Sequence, residues 1–123
     1  MIKSMLIAGC GGFLGTIFRF LTNRLCLFLG FVPFPVATLF VNLTGCFLFG
    51  LFAGLMEKYG LVESRLASFL LVGFCGGLTT FSTFSNELLK MTDGNQIVTS
   101  VIYLAVSVIF GVLLLMMGRQ LIS

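Results

Sequence analysis

The chain has 123 residues, 59% of them hydrophobic and only 9% charged, against about 25% charged in a soluble domain. With a mean hydropathy of +1.17, this composition specifies an integral membrane protein and leaves no stretch polar enough for a separate soluble domain. The net charge of +3 has no basic cluster behind it, which excludes a nucleic-acid surface, and the lack of histidine and of any nucleophile–base arrangement argues against an enzyme.

A membrane span needs about 20 apolar residues. The first predicted span covers residues 2–21, and its apolar run is read as a span rather than a cleaved leader. Gly11 and Gly15 give it a small face suited to close helix packing. Arg19 falls near its end. Two readings fit it: an arginine that snorkels to the interface, or a cation at the mouth of an anion pathway.

Pro33 and Pro35 mark a turn, so the second span is predicted at 35–56. Thr38 and Asn42 share one of its faces. For Asn42 an interhelical hydrogen bond and an amide donor to a passing ion stand as equal alternatives. A short mixed-charge loop follows, from Glu57 to Arg65. The third span is predicted at 66–91, a turn at Thr92-Asp93-Gly94-Asn95, and the fourth span at 97–118. Tyr103, Ser107 and Gly111 lie on one face of that last span. The four cysteines (Cys10, Cys26, Cys46, Cys75) have no metal-site or redox-motif spacing and read as small packing residues.

The third span carries the densest chemistry: Gly73-Phe74-Cys75-Gly76-Gly77-Leu78-Thr79-Thr80-Phe81-Ser82-Thr83-Phe84-Ser85-Asn86-Glu87. Glycine weakens a helix interior by about 1 kcal/mol relative to alanine, so a break is expected at Gly76-Gly77. Such a break frees carbonyls that serve as cation ligands in a protected cavity. Beyond it, Thr79, Ser82, Thr83 and Asn86 recur at helical spacing as one polar stripe beside Phe81 and Phe84. Helix packing explains two or three hydroxyls in a span; this many point to a pathway or binding site. Glu87 reads as an interfacial residue near the helix end, helped by Lys90 three residues on.

Four spans place Lys3, Lys58, Arg65 and Arg119 on one side and Arg19, Arg24 and Lys90 on the other. That near balance gives the positive-inside rule little to act on, so insertion in both orientations and pairing as an antiparallel homodimer are expected. The glycine-broken third helix is the natural crossing point.

Three motifs, in this order and in a four-span chain, carry a resemblance. They are the segment Gly11-Gly12 to Arg19-Phe20, the segment Ala37-Thr38 to Cys46-Phe47, and the segment Gly73 to Phe84. On them the chain resembles the Fluc (CrcB) family of small fluoride channels over nearly its whole length. Thr16 and Phe20 depart from the alanine and tyrosine usual there, and Gly111 stands where some relatives have serine.

The resemblance implies an all-α membrane protein with four helices, the third broken, assembled as a dual-topology antiparallel homodimer in a bacterial-type inner membrane. It implies passive fluoride export through two pores, with fluoride resistance as the role. Phe81 and Phe84 would line the pores with ring edges, where the aromatic quadrupole is positive, and Asn42 would donate to fluoride. Thr38, Tyr103 and Ser107 match a polar track, with the Ser82 and Thr83 hydroxyls nearby. Arg19 matches a vestibule arginine. The carbonyls of Gly76 and Thr79 match a central sodium site. The rival reading is a proton-coupled exporter of the four-span type, which needs a carboxylate deep in a span. With Glu87 placed at an end, the sequence supplies none.

Overall fold

A computed structural model describes residues 1–30 and 35–122, and it is helical almost throughout. Helix α1 is Ile2–Phe28 and α2 is Val36–Lys58. Helix α3 comprises Arg65–Ala67, a π-helical Ser68–Cys75 and Gly76–Leu78. Helix α4 is Phe81–Asp93 and α5 is Ile97–Ile122. Together α3 and α4 make one interrupted span, so the described residues include four helical segments long and apolar enough to cross a membrane.

The first and last helices exceed the predicted spans. α1 does not stop near Leu21 but runs to Phe28, since neither Arg19 nor Arg24 breaks a helix. Arg24 lies over the Phe20 ring, 5.5 Å from its centroid. α5 passes Arg119, which pairs with Glu57 at 3.1 Å in an exposed position. α2 begins after Pro35; the turn expected at Pro33 lies outside the described residues.

Local signals account for the remaining ends. Ser64 caps α3, its hydroxyl oxygen accepting the Ala67 N–H at 3.1 Å. Thr80 caps α4, accepting the Thr83 N–H at 3.3 Å. Gly94 closes α4 with its N–H on Lys90 O, and Asn95 takes the left-handed φ of 61° in the turn.

Two backbone-close pairings build the bundle. α1 lies on α3, and α2 lies on α5. A Cβ on Gly15 would strike the Phe74 carbonyl and the Leu78 N–H, and one on Gly77 would strike the Gly12 backbone. Gly50 and Gly118 do the same service between α2 and α5, against Leu115 and Phe47. Small residues at such contacts are how helices associate where lipid offers no hydrophobic driving force. α4 is held differently: Phe84 and Met91 bury against Tyr103 of α5, with Leu39 and Leu88 packed around them.

The interruption of the third span is not where the glycines stand. Gly76 and Gly77 are helical, and the extended residues are Thr79 (φ −86°, ψ 158°) and Thr80 (φ −149°, ψ 121°). Gly77 serves the packing on α1 instead. Thr79 therefore lies before α4 and is not part of its polar stripe, which consists of Ser82, Thr83 and Asn86.

Candidate functional site: a polar seam beside a broken helix

The break is held open by side chains. Asn42 of α2 donates its Nδ2–H to Thr80 O at 3.1 Å and accepts the Thr80 N–H on Oδ1 at 2.7 Å. In a continuous helix that N–H would bond to Gly76 O. The Thr83 N–H, the helical partner of Thr79 O, goes to the Thr80 hydroxyl instead. Arg19 donates Nε–H to Gly77 O at 2.9 Å. Cys75 O accepts both the N–H and the hydroxyl of Thr79, at 3.0 and 2.9 Å.

These bonds leave the carbonyls of Gly76 and Thr79 without their helical donors. Gly76 is exposed, and a Cβ there would meet nothing nearer than Leu71 O at 4.0 Å. Carbonyl oxygens freed of their helical donors are the ligand type a hard cation such as sodium takes, so the chemistry of these two groups is compatible with that ion.

Arg19 is half-buried and bonded to the backbone of a neighbouring helix. The extension of α1 to Phe28 places it inside the helix, and its bond to Gly77 O turns it inward. It lines a cavity of about 210 Å³ together with Asn23, Thr38, Thr80, Thr83 and Glu87.

Glu87, read from the sequence as an interfacial residue near the helix end, has partners on two other helices. Its carboxylate accepts the Thr38 hydroxyl on Oε2 and the Tyr103 hydroxyl on Oε1, each at 2.9 Å. Thr38 is buried and Tyr103 is 1% exposed. Glu87 thus joins α2, α4 and α5 in one polar seam. The sequence offered a signal for this: Glu87 stands one helical turn beyond both Thr83 and Phe84, on their side of α4.

The two phenylalanines differ in setting. Phe84 is 5% exposed and packs edge to face on Tyr103, with centroids 4.9 Å apart and an interplanar angle of 71°. Phe81 is 80% exposed, 6.2 Å from Phe84. Ser82 and Thr83 are exposed beside it. One turn beyond Tyr103 on α5, the Ser107 hydroxyl oxygen is buried without a hydrogen-bond partner among the described residues.

The family model described as CrcB-like protein, Camphor Resistance (CrcB), matches residues 6–119. The chain belongs to the CrcB family. Among its relatives, the fluoride-specific ion channel FluC of Flavobacterium psychrophilum is 40% identical over 91% of this chain and 90% of that protein. The FluC of Chlorobium phaeobacteroides is 42% identical over 96% and 91% respectively. FluC 1 of Staphylococcus aureus (strain NCTC 8325) is 40% identical over 90% and 89%. These relatives are channels rather than enzymes. Like the four apolar helices, they make this CrcB chain a multi-pass membrane protein.

Proposed function

We propose that this CrcB chain is the protomer of a fluoride-selective channel that lets fluoride leave the cell passively and so confers fluoride resistance. The observation that carries the reading is the Ser107 hydroxyl, one turn beyond Tyr103 on α5, whose oxygen is buried with no hydrogen-bond partner among the described residues. A buried hydroxyl without a partner is costly, and a small anion that accepts hydrogen bonds gives it one.

Fluoride is compact and strongly hydrated, so a pore must replace its water with donors. The hydroxyls of Ser82, Thr83 and Ser107 and the second Nδ2–H of Asn42 are such donors. The positive edges of the Phe81 and Phe84 rings add a weak attraction without a full charge, which suits an ion that must bind and then leave.

A second copy completes the site. Ser82, Thr83 and Asn86 are exposed on a transmembrane helix, where contact with lipid is unfavourable. An antiparallel copy seated on this face covers them and makes Phe81 a pore-lining residue. The same contact brings two sets of Gly76 and Thr79 carbonyls together, and a structural sodium ion fits between them. Paired cytoplasmic and periplasmic reporters fused to the C-terminus should both give signal; signal from one alone would contradict the antiparallel arrangement.

Glu87 gives the proton-coupled exporter one supporting observation, a carboxylate inside the seam. Efflux from proteoliposomes separates the two readings. A channel releases fluoride down its gradient with no pH gradient; an exporter requires one.

A further inference from the structure

We infer that Arg19 is a positioning residue that braces the break in the third span, and not only a charge at the mouth of the pathway. Its place is set by packing. One turn earlier, Gly15 lies against the Phe74 carbonyl and the Leu78 N–H. The two backbones touch there, so the side chain of Arg19 emerges beside the last carbonyls of α3. The carbonyl it takes, Gly77 O at 2.9 Å, would in a continuous helix accept the Phe81 N–H. Phe81 instead begins α4. Arg19 supplies the missing donor, and a cation at a helix C-terminus also complements its dipole.

The brace acts on the residues that follow. Gly77 stands two residues before the extended Thr79–Thr80, and Asn42 of α2 grips Thr80. Arg19 on α1 and Asn42 on α2 thus hold the two ends of the interruption. The guanidinium suits this double duty: Nε bonds the carbonyl, and further N–H donors remain beside the cavity shared with Thr80, Thr83 and Glu87.

Two variants separate brace from charge. Glutamine carries Nε2 the same number of bonds from Cα as arginine carries Nε, so R19Q keeps the donor and loses the charge. R19M loses both. The flux arm rests on the channel reading: fluoride efflux from proteoliposomes should fall in R19Q in a salt-sensitive way, as screening predicts. R19M should fall at least about tenfold further, and that gap should persist at high ionic strength.

The exchange arm is independent of transport. Amide exchange over residues 73–87 of the detergent-solubilised protein should match wild type in R19Q and be faster in R19M. Equal efflux and equal exchange in the two variants would overturn the brace and leave only the charge. Should R19M not fold, R19Q decides: wild-type protection of residues 73–87 upholds the brace, and faster exchange overturns it. Absence of fluoride flux in the wild type would instead defeat the channel reading, with the exchange arm still deciding the brace.

Discussion

Asn42 holds both backbone groups of Thr80, donating to its carbonyl at 3.1 Å and accepting from its N–H at 2.7 Å. One side chain on α2 therefore takes the N–H that an unbroken helix would have bonded to Gly76 O, and adds a second donor to the carbonyl of the same residue. Asn42→Ala leaves the Thr80 N–H without a partner, at a cost of about 1–3 kcal/mol, while the Thr80 carbonyl keeps the first helical bond of α4. Asn42→Asp keeps the acceptor but sets a carboxylate oxygen against the Thr80 carbonyl and beside the anion path. Thermal unfolding in detergent should show the loss in N42A, and N42D should conduct no measurable fluoride. Wild-type stability in N42A would mean that the break does not depend on this clamp.

The break also marks the limit of what the sequence reveals. Four helices were legible from apolar length alone. The helix ends were less so, because the hydrocarbon thickness sets a minimum span and α1 and α5 continue past their arginines. The third span was recognisably interrupted, but glycine content pointed to Gly76-Gly77. Those glycines answer to α1, which passes too close for a Cβ, while the opening at Thr79–Thr80 answers to Asn42, 38 residues away. The partners of Glu87 were hidden for the same reason: Thr38 and Tyr103 lie on two other helices, and only its alignment with Thr83 and Phe84 on α4 hinted at them. The π-helical winding of Ser68–Cys75 has no mark in the sequence that we recognise.

The glycine contacts divide sharply by position. Gly15→Ala places a methyl against the Phe74 carbonyl, and Gly77→Ala places one against the Gly12 backbone, with no flexible side chain to yield. Each should cost at least about 2 kcal/mol through forced separation of α1 and α3. Gly9→Ala meets nothing within 4 Å and should be neutral, within about 0.5 kcal/mol. Yield of monodisperse protein and melting temperature give the comparison. Equal behaviour of all three would refute the close packing of α1 on α3.

The seam at Glu87 predicts coupling between helices. Thr38→Val and Tyr103→Phe each remove one donor from the carboxylate, and each should destabilise the protein by about 1.5–3 kcal/mol, the range for hydrogen bonds to a charged group. The double variant should depart from the sum of the two, because both donors act on one group. Glu87 facing water at the membrane surface would instead give two small, additive effects.

Phe81 and Phe84 should separate stability from transport. Phe84→Ile forfeits the edge-to-face contact with Tyr103, worth about 0.5–1.5 kcal/mol beyond its buried area. Phe81 is largely exposed within the protomer, so Phe81→Ile should leave protomer stability unchanged. Both variants should slow fluoride efflux sharply, since isoleucine has no positive ring edge. Wild-type rates in both folded variants would remove the ring-edge argument.

The most direct test of the account is fluoride efflux from liposomes containing the purified protein. It is read with a fluoride electrode beside a chloride control, with potassium permeability supplied and no pH gradient. A selective passive channel releases fluoride rapidly and retains chloride. No release from folded, dimeric protein, or release that begins only when a proton gradient is imposed, would contradict it.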